Sequence, residues 1–230
     1  MTDRTLVLRF LAFYEKTYKK AKDGIKSFLN EFCRIYREPG DEKLKEFESK
    51  FSHAMKACKT VFGTSGFRLR ERSRNGDPKD LGAWTNRVNA SIFQVVSVAF
   101  TEYDLGSITR RADLIYEEFL DLLSTDAKWV EYVTVSTANQ DRIQYVFETW
   151  ISRLNEVMKG EIPNDNVRVF SSSLKKKLWE QDKTCSICGQ QIKIIDDAAL
   201  DHVLHYWRGG QTVPTNARLA HRLCNLQRSK

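Results

Sequence analysis

The last quarter of the chain carries CSICG at residues 185–189, LDHVLHYWRGG at 200–210 and PTNARLAHRLCN at 214–225. These three pieces decide how that part of the protein folds. The Cys185-x-x-Cys188 spacing puts two thiols on one side of a tight turn, where both sulfurs reach a single tetrahedral ion. The same spacing serves redox pairs, but no thioredoxin-like βαβ pattern surrounds it here. His221 and Cys224 offer two more ligands from one turn of chain. Cys185, Cys188, His221 and Cys224 together form a closed Cys3His set for zinc. Four protein ligands leave no open coordination position, so such a site is structural.

Between the two halves of that set lies Asp201-His202. A carboxylate beside an imidazole supplies a hard oxygen ligand and a general base in adjacent positions. Apolar residues around Asp201–His202 and Arg218–Ala220 predict two short strands, with Gly209-Gly210 and Pro214 in the connection. Arg222 to Lys230 predicts a helix. Neighbouring residues of a regular strand face opposite ways, so Asp201 and His202 share one ion only near a strand end or under strong twist. His205 is read as a nucleic-acid contact or an exposed residue ahead of a substitute metal ligand, and Trp207 as packing on the zinc lobe ahead of stacking on a base.

The charge follows the same division. The chain has 230 residues and a formal net charge of +7. Residues 172–230 hold 10 Lys+Arg against 5 Asp+Glu, whereas the remainder holds 27 against 25. A basic module is either a solvated surface or a face for a polyanionic partner, whose neutralised phosphates release condensed counterions. Of five cysteines, Cys33 and Cys58 stand apart and read as buried free thiols. The odd count, without an export signal, argues against a disulfide framework. No apolar run approaches a bilayer span, and residues 1–20 lack the order of a signal peptide. A cytoplasmic, soluble protein with no membrane partner is expected.

The first 160 or so residues read as helical. Apolar residues at spacings of three and four run from Thr5 to Arg37, where Pro39 and Gly40 break the pattern. Asp41 is placed to cap a second helix ending near Val61. Further helical patterns cover Asn89–Glu102, Ile108–Leu123 and Asp141–Lys159. Ser124–Ala138 contains YVTVST, which suits a short extended piece. Gly63–Pro78 reads as an exposed connection, with Arg68, Arg70, Arg72 and Arg74 alternating along it as a solvated run or as phosphate contacts. Gly160–Asp165 is a candidate linker, and Ser171–Asp182 a short basic helix. The fold class is therefore mainly α: a helical domain over 1–165, then a small zinc-stapled domain over 166–230.

CxxC, then DH, GG, N and HxxCN in that order resembles the zinc-containing branch of the HNH endonucleases, which have a ββα-metal fold. The resemblance covers about residues 180–230. It implies that His202 is the base that activates water and that Asn216 orients the loop and the base. It also implies that Asp201 and Asn225 hold a catalytic Mg2+ or Mn2+ ion, Asn225 standing where many members have histidine. The expected activity is hydrolysis of DNA phosphodiester bonds. An unperturbed imidazole titrates at about 6.5, within reach of neutral pH. Arg208, Arg218, Arg222, Arg228, Lys230 and Lys175, Lys176 and Lys177 are the expected phosphate contacts.

The helical part more loosely resembles the region preceding the HNH module in bacterial restriction and phage-defence proteins, through Leu6–Phe13, Phe28–Asn30 and Val61–Gly63. Those proteins begin with a ParB-like nucleotide-sensing domain. The chain is expected to be a shortened relative or a C-terminal fragment that works with a sensing domain or a partner protein. The competing readings are a zinc-finger-like nucleic-acid-binding module without catalysis, and an interaction scaffold.

Overall fold

A computed structural model describes residues 3–15, 24–71, 83–135, 139–159, 170–205 and 210–228. The fold is mainly α, with a small two-stranded sheet near the C-terminus. Contacts divide the chain into two units. The first comprises Met1–Leu69, Asn86–Phe119 and Asp126–Gly160; the second comprises Arg70–Thr85, Leu120–Thr125 and Glu161–Lys230. No helix among the described residues is long and apolar enough to cross a membrane.

The first unit is built from α1 (Asp3–Tyr14), α2 (Gly24–Ile35), α3 (Asp41–Phe62), α4 (Ala90–Ala99), α5 (Leu105–Arg110), the first turns of α6 (Ala112–Thr125), α7 (Ala127–Thr134) and α8 (Gln140–Lys159). Its centre is α4. Every residue of α4 is buried, which fits a helix apolar on all sides. Asn89 starts it by accepting hydrogen bonds from the backbone N–H groups of Ser91 and Ile92, both at 2.9 Å. Among the described residues, Arg9 is the cation drawn into this core, and it donates to Gln94 Oε1 at 2.9 Å. Aromatic rings fill the surrounding space: Phe13 lies against Phe147, and Phe119 meets Trp129 and Trp150 edge-on.

Local structure departs from the sequence reading at four points. The Thr5–Arg37 stretch forms two helices, α1 and α2, with residues 16–23 outside the described residues. Gly40, not Asp41, is the N-cap of α3, and Asp41 lies in the first turn, where its charge suits the helix dipole. Cys58 is buried but Cys33 is exposed, because α2 turns Phe28 and Phe32 inward. The YVTVST segment is not extended at its start. Tyr132–Thr134 complete α7, whose Asp126 cap accepts from Trp129 N–H at 2.8 Å. Trp129 and Val133, one helical turn apart, are both buried, and that burial outweighs the β-preference of the valines. The candidate linker Gly160–Asp165 lies outside the described residues.

The second unit holds α9 (Ser172–Gln181), β1 (Ala198–His202), β2 (Ala217–His221) and α10 (Arg222–Arg228). β1 and β2 pair antiparallel, setting Ala198 opposite His221 and Asp201 opposite Arg218. Their inner face has a small core: Cys185, Ile192, Ala198, Leu219, Ala220 and Cys224, flanked by Leu178, Trp179 and Leu200. So few apolar side chains hold a unit of this size weakly.

Chain from far upstream adds to it. Arg70, read from sequence as part of an exposed connection, is buried. Its guanidinium bonds Asp197 Oδ1 at 3.1 Å, lies 3.6 Å from Asp196 Oδ2 and stacks over the Trp84 ring. Trp84 Nε1 donates to the same Asp196 carboxylate at 2.8 Å. Asp196 and Asp197 immediately precede β1, so this cluster fixes where the strand begins. Arg70 and Asp197 are each 3% exposed at the side chain. Removing one partner of so buried a pair leaves the other charge uncompensated, which costs about 3–5 kcal/mol. Arg70→Ala is therefore expected to destabilise the second unit by about that amount. Urea unfolding followed by near-UV circular dichroism measures it, and a midpoint equal to the parent's would show the pair to be dispensable.

Candidate functional site

The four side chains that could hold a metal come from two places. Cys185 and Cys188 flank a turn closed by the Gly189 N–H to the Cys185 carbonyl at 2.8 Å. Gly189 has φ of +73°, a left-handed conformation that glycine adopts without strain. The turn is fastened to β2 by Ser186, whose N–H and hydroxyl both donate to the Leu219 carbonyl, at 2.9 and 2.5 Å. That contact brings the two thiols to His221, the last residue of β2, and to Cys224 on the first turn of α10.

The ligand atoms of Cys185, Cys188, His221 and Cys224 all lie within 4.8 Å of one another. His221 Nδ1 is 3.5 Å from Cys188 Sγ and 4.0 Å from Cys224 Sγ. Sulfur and nitrogen ligands around one tetrahedral zinc stand about 3.3–3.8 Å apart, given bonds of about 2.3 and 2.0 Å. The cluster matches zinc in donor type, and its widest pairs, at up to 4.8 Å, would draw in by about 1 Å around the ion. Its electrostatics agree. Burial acts to raise the Cys185 thiol, but N–H groups of Cys188, His221 and Ile187 offset it and bring the thiol down to about 6. Cys224 is pushed up to about 12 by burial and by the neighbouring sulfurs. Sulfurs crowded this closely need a shared cation before all can be thiolates.

On the far side of the sheet end lies the Asp201–His202 pair, and its two members have different surroundings. Asp201 is 4% exposed. Its Oδ2 accepts from Arg218 Nε at 2.8 Å and lies 2.6 Å from a second nitrogen of the same guanidinium. The same oxygen also meets Arg228 of α10. Arg228 further donates to the carbonyls of His202 and Val203, both at 3.2 Å. His202, the last residue of β1, is half-buried. Its Nε2 lies 2.8 Å from Thr212 Oγ1, and its ring packs on Phe170 with centroids 4.3 Å apart.

Asn216 holds the loop that joins the strands. Its Oδ1 accepts from Leu204 N–H at 2.8 Å, and its Nδ2 donates to the carbonyls of Leu204 and Gln211 at 3.1 and 2.8 Å. The Asn216 carbonyl accepts from Val203 N–H at 2.9 Å. These bonds fix the backbone directly after His202. Gly210 is required there, since any Cβ would collide with the Leu204 carbonyl. Asn225 is half-buried on α10, three residues before Arg228.

The expected phosphate contacts divide. Lys176 and Lys177 are exposed and Lys175 half-buried on α9; Arg218 and Arg228 are about a quarter exposed. Arg222 is not at the surface. It is 3% exposed, donating to the Asp196 carbonyl at 2.5 Å and to Asp121 Oδ1 at 3.2 Å. As the first residue of α10 it follows the ligand His221 inward. His205 is half-buried, and its carbonyl accepts from Gly210 N–H. Trp207, Arg208 and Lys230 lie outside the described residues, as do Arg72 and Arg74. Local spacing could not have revealed Thr212 and Phe170 beside His202, nor Arg70 and Trp84 at the start of β1.

Zinc analysis of the purified protein should find one zinc per chain. Cys224→Ser should lose that zinc and, with it, the fixed packing of the second unit, because zinc affinity and folding are one free energy in small metal-bound units. Full zinc retention by Cys224→Ser would exclude the four-ligand site.

No curated protein and no solved structure matches the chain. The family model for HNH endonucleases, which points to nuclease chemistry on nucleic acid, matches residues 185–230, the segment holding all four metal-ligating side chains, both strands and α10.

Proposed function

We propose that the protein is a metal-dependent endonuclease that hydrolyses DNA phosphodiester bonds. The observation that carries this reading is His202 at the open end of β1, beside a loop clasped by Asn216, within the HNH-matching segment. A zinc-binding module needs only its four ligands, and neither the Asp201-His202 pair nor the Asn216 clasp serves the cluster.

His202 is the base that takes the proton of the attacking water. Thr212 and Phe170 limit the rotation of its ring, and Asn216 and Arg228 hold its backbone. Asp201 and Asn225 offer a carboxylate and an amide oxygen, a hard donor pair suited to Mg2+ or Mn2+. When bound, such an ion supplies positive charge against the negative charge that develops on the phosphoryl oxygens. Lys175, Lys176, Lys177, Arg218 and Arg228 are the proposed contacts to the DNA backbone, and Arg208 belongs to the same basic set. The cluster of Cys185, Cys188, His221 and Cys224 takes no part in the chemistry.

The domain arrangement in this reading is a helical domain over 1–165 followed by the nuclease over 166–230. A cytoplasmic restriction or phage-defence setting, with a sensing domain or partner supplying the trigger, rests on the resemblance of the helical segments.

Plasmid cleavage with Mg2+ or Mn2+ tests the proposal. His202→Ala should slow cleavage by about 10²–10⁴-fold without loss of zinc. Asn216→Ala should slow cleavage too, and should speed amide exchange at Leu204, which loses its side-chain acceptor. A protein that binds DNA yet leaves it uncut with every divalent ion would instead be a zinc-finger-like binding module.

A further inference from the structure

Asp201 stands between two guanidiniums. Arg218 reaches it across the sheet as its register partner, and Arg228 reaches it from the end of α10. The carboxylate is 5% exposed, whereas the two arginine side chains are 27% and 26% exposed. One buried anion thus serves two cations that border solvent. The cluster carries a net charge of +1, set beside the proposed base His202.

This arithmetic has a consequence for what can bind. A divalent ion on Asp201 would stand within a few ångströms of both guanidiniums, and like charges that close repel strongly. An incoming phosphate would be attracted by the same pair. Every guanidinium contact falls on Oδ2, so an ion would take Oδ1 and share the single negative charge of Asp201 with both arginines. Arg228 has other holds: its bonds to the His202 and Val203 carbonyls keep it in place if it leaves Asp201.

We propose that Asp201 is an exchangeable counterion: it holds Arg218 and Arg228 in the absence of a divalent cation, and cation binding releases both guanidiniums to DNA phosphates. The inference rests on the reading of Asp201 as a ligand. It makes cation binding and DNA binding mutually reinforcing, with the same factor in both directions. It also makes the two arginines restraints on the cation as well as phosphate contacts.

The test uses the full-length, zinc-loaded chain carrying His202→Ala, so that DNA stays intact. Mn2+ binding is followed by the loss of the free-ion paramagnetic resonance signal. Arg218→Gln and Arg228→Gln should each tighten Mn2+ binding by about tenfold or more. Arg228→Lys, which keeps the charge but loses the fork, should stay within about twofold of the parent. Zinc content and circular dichroism establish that each variant is folded. Adding Mn2+ should also steepen the dependence of log K on log[KCl] for a short DNA duplex by about 1–2, as one or two more phosphates are engaged. Loss of that steepening in the double glutamine variant completes the expected pattern. Unchanged Mn2+ affinity in both glutamine variants, or an unchanged salt slope, overturns the exchange. Mn2+ affinity that survives Asp201→Asn unaltered would instead refute Asp201 as a ligand, and the exchange with it.

Discussion

The geometry of the C-terminal unit depends on one constraint, the convergence of three sulfurs and one imidazole to within 4.8 Å. The apolar core beneath the two strands is only a handful of side chains. Such a core does not fix a sheet and a helix against each other by itself. A cation shared by the four would do so, joining the Cys185–Cys188 turn to the end of β2 and to the first turn of α10, where three pieces of backbone meet. With β2 fixed, the antiparallel register places Asp201 opposite Arg218 and leaves His202 at the strand's end.

Two further devices extend that order outward. Upstream, Arg70 and Trp84 hold the carboxylates of Asp196 and Asp197 just before β1, while Arg222 ties the start of α10 to the same turn through the Asp196 carbonyl. Downstream, Asn216 holds the backbone that follows β1, with three side-chain bonds to Leu204 and Gln211. The strand bearing Asp201 and His202 is therefore anchored at both ends. Preorganisation of this kind is what a reaction centre needs, because a displacement of about 1 Å costs much of the rate.

The sequence disclosed what local spacing encodes. Cys185/Cys188 and His221/Cys224 are each three residues apart, so each pair declares itself as a turn with two ligands. The two strands followed from the apolar residues around Asp201–His202 and Arg218–Ala220, and a helix was expected over Arg222 to Lys230. Contacts between distant residues were not legible. Arg70 meets Asp197 across 127 positions of sequence, and nothing in the neighbourhood of either names the other. Arg222 misled for a related reason: in a basic tail it looks like surface charge, but the position after a metal-ligating histidine points inward. Likewise the β-branched YVTVST reads as strand until the Asp126 cap and the burial of Trp129 and Val133 are seen. Asp201 stood out in the sequence as a candidate beside His202, while its two ion-pair partners were legible only as basic residues.

The central claim is that two sites share the C-terminal unit: a closed four-ligand staple and a separate reaction centre at Asp201–His202. X-ray absorption at the zinc edge, measured on the protein with and without DNA and Mg2+, tests that division most directly. The account predicts three sulfurs at about 2.3 Å and one nitrogen at about 2.0 Å, unchanged when DNA and Mg2+ are added. A zinc with fewer sulfurs and an exchangeable oxygen ligand, changing when DNA binds, would contradict it and make the zinc itself the reaction centre.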